Sequence, residues 1–265
     1  MAQQTGPEGA TSAERIGLSV RESQAHPVPR DAGSWAAKVD RLEAPDRAGM
    51  RGTNVAGRRL NGPVQGFGKM WQKTYRMNAG TVCSPQAAIA TWKAHFPELW
   101  PRGNRFAGPL AGISPGDVAL LDLAVGGGVK LSTGVFVLYA DEDSFTLMTP
   151  QGHMFAGWIT FSADQSGPDT FVQAHVLMRA NDPLYEAGLA LGGHRKEDLF
   201  WVQTLTALGE RLGVADPQVD TRTVCIDSRR QWHHARNIWH NAAVRTMLQR
   251  LAAPFRGRQR TQSAS

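Results

Sequence analysis

The sequence predicts an α+β protein in which a curved antiparallel sheet packs against a long C-terminal helix. From Thr133 to Arg179, runs of β-branched and aromatic residues alternate with short turn-forming segments. Short turns force successive strands to lie antiparallel, so this region is predicted to form a four-stranded meander. A helical pattern follows from Pro183 to Leu212. Because a meander must cover its apolar face, the helix is expected to pack on it.

Residues 1–66 are interpreted as a disordered or weakly ordered leader. Residues 1–33 are rich in Gly, Pro, Ser, Gln and charge, and residues 44–66 form a coil rich in Gly, Arg and Pro. Trp35, Val39 and Leu42 have the spacing of a short amphipathic helix, but a flexible leader with one apolar turn is the preferred interpretation.

A folded domain is predicted for residues 67–213. Its first strand covers residues 67–79, in which large apolar and polar residues alternate. Ser84 can cap a helix that begins at Pro85. The apolar stripe of this helix consists of Ala88, Ile89, Trp92 and Phe96.

Two further strands, residues 117–122 and 129–139, are predicted on either side of a glycine triplet at 126–128. Such a triplet can form a phosphate-binding loop, but no Lys-Ser/Thr pair and no helix start follow it here. It is therefore interpreted as the tip of a hairpin.

The long helix has defined ends and one interruption. Asp182 and Pro183 form a cap-plus-proline start, and Gly213 is a natural stop. The pair at 192–193, both glycines, predicts a kink or two consecutive helices. A glycine on the buried face, such as Gly188, either lets the sheet approach closely or leaves space beneath the helix, and the sequence allows both.

This order of elements resembles the START-like superfamily, which includes polyketide cyclases, pathogenesis-related plant proteins and lipid-transfer domains. Within it, the chain is similar to a branch with a Gly-His turn ahead of a Gly-aromatic strand, here Gly152-His153 and Gly157-Trp158. The resemblance covers residues 67–213. It implies a helix-grip fold, in which the sheet curves around the long helix and leaves a mostly apolar cavity between them.

The resemblance implies that the cavity binds a small apolar molecule, without a cofactor. The residues expected to line it are Tyr139, His153, Trp158, Val176, Tyr185 and Gly188. The alternative is a cyclase- or aromatase-type enzyme in the same cavity. That function would require at least two polar groups to converge there, from the set Tyr139, His153, Tyr185 and His194.

The C-terminal extension, residues 214–265, is predicted to form an edge strand at 221–227 and then a helix capped by Ser228, with Trp232 and Trp239 on its apolar face. Residues 221–265 carry nine basic and one acidic side chain. An Arg-rich helix of this kind fits an anionic membrane surface or nucleic acid.

The same helix could instead dock on its own domain, because amphipathic helices usually bury their apolar stripe. The last strand of the meander has a second face that is too apolar for contact with solvent. This face consists of Phe171, Gln173, His175 and Leu177. The extension is the segment expected to cover it.

No catalytic or metal-binding motif is recognisable. No segment is interpreted as a nucleophile elbow, a Rossmann glycine pattern or a paired-carboxylate motif. Residues 194–198 are interpreted as a solvated helix turn. His233 and His240 can share a helix face, but no carboxylate or cysteine lies beside them at ligand spacing, so no metal site is expected.

The sequence predicts a cytoplasmic protein. Two distant cysteines, Cys83 and Cys225, are more typical of reduced thiols than of a disulfide. No secretory signal and no uninterrupted apolar segment of membrane-spanning length is visible. The sequence leaves the ligand and the oligomeric state open.

Overall fold

The computed structural model describes residues 32–109, 112–126 and 129–248, all of which belong to one compact unit. Within these ranges, eight strands form a single antiparallel sheet. They are β1 (Met70–Gly80), β2 (Arg105–Ala107), β3 (Val118–Gly126), β4 (Val129–Ala140), β5 (Ser144–Met148), β6 (Phe155–Ser166), β7 (Asp169–Ala180) and β8 (Val219–Asp227). Their order across the sheet is β2-β3-β4-β5-β6-β7-β1-β8.

Strands β4 to β7 are the meander that the sequence predicts, and each pairs with the next along the chain. Local chemistry explains the turns between them. After β4, Asp141 Oδ1 accepts hydrogen bonds from the backbone amides of Asp143, at 2.9 Å, and Ser144, at 2.7 Å. Between β6 and β7, Gly167 has a φ of 61°, which suits a residue without a side chain.

The long helix consists of three consecutive segments: α2 (Pro183–Gly188), a π-helical segment (Leu189–Gly193) and α3 (His194–Leu212). Asp182 caps the start, because its Oδ1 accepts from the amides of Leu184 and Tyr185 at 2.9 and 3.1 Å. The predicted interruption is confirmed: Gly192 has a φ of 106°, a left-handed conformation that breaks the helix.

The core lies between the sheet and the helices. Leu205 and Leu208 of α3 are fully buried against it, as are Ile89 and Trp92 of α1 (Pro85–His95). A curved antiparallel sheet packed on a long C-terminal helix is the predicted fold class, and the chain has a helix-grip fold.

Residues 32–66 cover the outer face of the sheet, which differs from the interpretation of this segment as a weakly ordered leader. Leu42, Met50 and Val55 pack against Leu120 of β3 and Phe136 of β4. The three apolar residues follow no helix or strand period, so a periodicity argument does not detect them. Residues 1–31 lie outside the described ranges.

The alternative of a short amphipathic helix around Trp35 is wrong. A 3-10 turn covers Ala32–Ser34, and Trp35 then forms an isolated β-bridge with Tyr139 of β4. The two rings meet edge to face, with centroids 4.8 Å apart. Pairing with the sheet therefore replaces the local helical preference at this position.

The C-terminal extension begins with β8, which pairs with β1 at the edge of the sheet, where the sequence predicts a short edge strand. The prediction of one helix from Ser228 is wrong. Residues 228–231 are not helical, Trp232–His240 form a 3-10 helix, and a separate helix begins at residue 242. The predicted continuation beyond residue 248 lies outside the described ranges.

Up to residue 248, where the described part of the extension ends, it does not cover the outer face of β7, which is a second difference from the prediction. It packs instead on the turn at Gly152 and on α2. Phe171 of β7 is covered by a guanidinium from β1, because the Cζ atom of Arg76 lies 4.3 Å from its ring centroid.

Candidate ligand-binding cavity

A cavity of about 350 Å³ lies between the sheet and the long helix. Most of its wall is apolar, which follows from the inward-facing positions of the meander. The sheet contributes apolar side chains from β3 to β7: Leu121, Leu123, Val135, Leu147, Ile159, Val176 and Met178. The helix contributes Leu189, Leu191, Phe200 and Trp201.

Five of the six residues that the sequence analysis placed in the cavity lie in its wall. These are His153, Trp158, Val176, Tyr185 and Gly188. Gly188 has open space beside it, because nothing lies within 4 Å of the Cβ that a larger residue would add. The sheet therefore does not approach this glycine closely, and Gly188 lies at an exposed part of the cavity wall.

Tyr139 does not line the cavity, and a β-bulge explains why. Val137 pairs with Leu147, which faces the cavity, but the register shifts before Tyr139, which pairs with Thr146. The extra residue turns Tyr139 to the outer face of the sheet. There its hydroxyl donates to the carboxylate of Asp141.

His153 is a buried, uncharged side chain, only 5% exposed, in the cavity wall. Burial lowers the pKa of its imidazole to about 4. Its Nδ1 lies 3.0 Å from the backbone nitrogen of Phe155, whose N–H donates to it. Nδ1 also lies 3.3 Å from the carbonyl oxygen of Phe155, but the shorter bond from the backbone N–H of that residue assigns the ring hydrogen to Nε2.

Tyr185 lies on α2 at the same end of the cavity. Its hydroxyl accepts a hydrogen bond of 3.1 Å from the backbone N–H of Ala243 in the C-terminal extension. Burial raises the pKa of this phenol well above its usual range, so the hydroxyl keeps its proton at physiological pH.

The C-terminal extension closes this end of the cavity, and Ala243 forms part of the wall. The backbone N–H of Ala242 donates to the carbonyl of Gly152 at 2.9 Å. A Cβ at Gly152 would collide with the carbonyl of His240, and the φ of Gly152 is 90°, so a glycine is required for this close approach.

Buried asparagines hold the extension in place. Asn241 is fully buried, and its Nδ2 donates to Asp182 Oδ2 at 2.8 Å. Asn237 Nδ2 donates to the backbone carbonyls of Gln65 and Asn181, both at 2.9 Å. Buried amides that find partners in this way specify one docked position, because any other position would leave them unpaired.

A buried ionic cluster forms another part of the wall. Lys73 on β1 is fully buried, and its Nζ lies 2.9 Å from Glu197 Oε2 and 2.7 Å from Asp198 Oδ1. The hydroxyl of Tyr75 donates to Asp198 Oδ1 at 2.7 Å. Glu197 itself lines the cavity, and burial raises its pKa to about 7 despite the attraction of Lys73.

The interpretation of residues 194–198 as a solvated helix turn is therefore wrong for Glu197, which is only 8% exposed. Lys73 and Tyr75 lie on the same face of β1 as Trp71, and this shared face is a signal in the sequence. A pattern of alternation does not show which face of a strand is buried, so it could not identify the cluster.

His194 lies beside the ionic cluster but outside the cavity wall, with its ring centroid 4.8 Å from that of Trp71. Of the four polar groups considered for a cyclase-type reaction, His153 and Tyr185 thus line the cavity, whereas Tyr139 and His194 do not.

Within the described ranges, no group of three or more His, Cys, Asp or Glu side chains could hold a metal ion. Cys83 is half-buried and Cys225 is exposed, and both are free thiols. None of the helices described is both long enough and apolar enough to span a membrane.

No protein-family model and no curated protein matches the sequence. Among solved structures, the di-domain ARO/CYC StfQ from the steffimycin biosynthetic pathway is similar, with 13% identity and a TM-score of 0.42. The match covers 55% of this chain and 53% of that one, so it spans about half the length of that protein.

Two other matches cover nearly the whole length of the similar protein. A START superfamily protein from Mycobacterium smegmatis is 22% identical, with a TM-score of 0.37 over 55% of this chain and 98% of that one. The major latex-like protein 151 from Panax ginseng is 15% identical, with a TM-score of 0.36 over 53% and 97%. At such distances the likeness carries no function. The assignment to the helix-grip fold rests on the strand order and the long C-terminal helix of this chain.

Proposed function

We propose that this protein binds a small apolar molecule in the cavity between the sheet and the long helix. The observation that carries the proposal is the cavity itself, about 350 Å³ in volume and lined mainly by aliphatic and aromatic side chains. This volume is near the lower end of the range of small-molecule sites, roughly 300–1,000 Å³. A filled core would instead be packed without voids of this size.

The test is the uptake of an environment-sensitive apolar dye, together with native mass spectrometry of the purified protein to detect a co-purified ligand. Gly188→Leu should weaken dye binding, because its side chain would enter the open space beside the helix. The matched control is Ala187→Leu, which adds a leucine at the neighbouring position of the same helix, outside the cavity wall. If the wild-type protein neither takes up the dye nor carries a ligand, the proposal is wrong.

A second function is favoured by the surface of the extension: we propose that it contacts an anionic membrane. Trp232 and Trp239 are 73% and 80% exposed, and Ile238, Met247 and Leu248 are exposed beside them. Residues 228–248 contain four arginines and no acidic residue. Exposed indoles next to basic side chains fit the interface between lipid head groups and acyl chains. Nucleic acid offers fewer apolar contacts to such a surface than a membrane does.

The full chain should sediment with vesicles that contain phosphatidylserine, and not with vesicles of phosphatidylcholine alone. Binding should weaken between about 50 and about 300 mM salt, because arginines supply the attraction. Replacing Trp232 and Trp239 by alanine should reduce binding, and the control is Trp35→Ala at an exposed tryptophan elsewhere. Retention on DNA without retention on anionic vesicles would contradict the membrane assignment.

A further inference from the structure

Two hydrogen-bond donors without acceptors lie at one end of the apolar cavity. They are the Nε2–H of His153 and the O–H of Tyr185. We infer that the ligand is an apolar molecule with a single carbonyl or ester oxygen, which accepts hydrogen bonds from both groups. This inference rests on the proposed binding function, and it adds the chemical class of the ligand.

The geometry around His153 determines which of its ring nitrogens carries the hydrogen. A backbone N–H can only donate, so the 3.0 Å contact between Phe155 N and Nδ1 requires a lone pair on Nδ1. In the neutral ring the hydrogen is then on Nε2. No side chain or carbonyl among the described residues accepts from Nε2. A buried donor without an acceptor is destabilising, and an oxygen of the ligand would supply the missing acceptor.

The hydroxyl of Tyr185 has the complementary arrangement. Its oxygen accepts from the N–H of Ala243, so its own hydrogen remains available. The nearest carboxylate, that of Asp182, is already engaged by the amides of Leu184 and Tyr185 and by the side chain of Asn241. No acceptor for the Tyr185 hydrogen is present within the described ranges.

The extension brings the two donors together. The turn that carries His153 is joined to Ala242 through the carbonyl of Gly152, and Tyr185 is joined to the next residue, Ala243. Both residues therefore lie at the end of the cavity that Ala243 closes. A single oxygen atom can accept two hydrogen bonds through its two lone pairs.

Several other polar groups of the wall already have partners. Thr149 Oγ1 bonds to the carbonyls of Asn61 and Gly157, and Asn104 bonds to Pro101 and Ala124. Glu197 is paired with Lys73. The indole Nε1 of Trp100 lacks a partner but is wholly enclosed by protein atoms, so a ligand does not reach it.

The experiment compares two probes of similar shape, an acyl-naphthalene dye and an alkyl-naphthalene without the carbonyl. The wild-type protein should bind the ketone about tenfold more tightly, which corresponds to roughly 1.4 kcal/mol. Tyr185→Phe and His153→Leu should each reduce this ratio severalfold and leave the affinity for the alkyl probe nearly unchanged. The infrared band of the probe carbonyl should move to lower frequency in the wild-type complex and return toward its free value in both variants.

Three outcomes would overturn the inference. The first two are equal affinity for the two probes and a preference for the ketone that survives both substitutions. The third is a preference that disappears as the pH rises through 7, because the donor would then be the carboxyl group of Glu197. The donors of His153 and Tyr185 are unchanged between about pH 5.5 and 8 because His153 stays neutral there. Binding of neither probe would contradict the proposed function itself. If His153→Leu does not fold, His153→Gln takes its place. Because glutamine keeps an N–H donor, this variant should retain part of the preference for the ketone.

Discussion

At the scale of single residues, the most consequential group is the carboxyl of Glu197. It is buried in the cavity wall beside the fully buried Lys73, and Asp198 contributes a second negative charge to the same ammonium. A buried carboxylate is stabilised by its partner but destabilised by the loss of water, and here the desolvation dominates. Glu197 therefore titrates near neutral pH, unlike an exposed glutamate.

This shift predicts a pH-dependent stability. Because the pKa of Glu197 rises from 4.5 to about 7 on folding, the native state holds a proton that the unfolded state releases between these values. Its contribution to stability therefore falls as the pH increases through this window. Relative to the wild type, Glu197→Gln should gain roughly 1–3 kcal/mol between pH 5 and pH 8. Urea unfolding at both pH values measures the gain.

The comparison with the wild type cancels other titrating groups. Among them is His153, whose lowered pKa makes the native state lose stability as the pH falls from 6.5 toward 4. Glu210→Gln, at an exposed position of the same helix, is the control and should show no such gain. A constant difference between Glu197→Gln and the wild type from pH 5 to 8 would exclude a raised pKa at Glu197.

The wall of the cavity was predictable where the alternation of a strand is regular and not where it is broken. Val176 follows the regular alternation of β7, and the open space at Gly188 was one of two readings that the sequence allowed. Tyr139 was misplaced because a bulge shifts the register before it, and no residue pattern marks that bulge. Glu197 was missed because its partner, Lys73, is distant in sequence.

At the scale of elements, the glycines of the long helix have different roles. Gly188 is helical, with φ and ψ of −61° and −39°, and has open space around it. Gly192 has a φ of 106°, which a side chain disfavours. The two positions lie one helical turn apart, so the same substitution tests local conformation in a nearly constant environment.

Gly188→Ala should stabilise the protein by about 0.5–1 kcal/mol, because alanine is the better helix former. Gly192→Ala should destabilise it by about 1–2 kcal/mol, because the left-handed conformation strains any residue with a Cβ. Thermal unfolding of the two variants measures both effects. Equal effects of the same sign would show that the break at Gly192 is not required.

Helix ends that carry Pro, Gly or an acidic cap were predictable, as Ser84-Pro85 and Asp182-Pro183 show. The structure of the extension was not predictable from the sequence, because it is set by tertiary contacts. Asn241 interrupts it, since its Oδ1 accepts from the N–H of Val244 at 3.0 Å while its Nδ2 is buried against Asp182. This pattern caps a new helix and ends the 3-10 segment before it.

At the scale of the whole molecule, the extension is part of the folded unit. Strand β8 pairs along β1, and the residues after it are joined to the core by the asparagine contacts and by an ion pair between Arg179 and Asp227, with nitrogen and oxygen 2.6 Å apart. Arg179 is almost fully buried. Removal of Asp227 would leave this guanidinium without its carboxylate partner.

A chain that ends at Gly213 should therefore melt at a markedly lower temperature than the full chain. The loss arises from the hydrogen bonds of β8 and from the buried partners of Asn181, Asp182 and Arg179. A chain that ends at Leu248 keeps these contacts and is the control, with a melting temperature near that of the full chain. If both truncated chains melt like the full chain, the extension is not integral to the domain.

The position of β1 in the sheet has a consequence for synthesis. Of the eight strands, β1 leaves the ribosome first, but its two neighbours, β7 and β8, are the last strands to be made. The nascent β1 therefore has unpaired backbone groups on both sides while strands β2 to β6 are translated. Such distant pairing slows folding, and a chain stalled before β7 should depend on chaperones for its solubility.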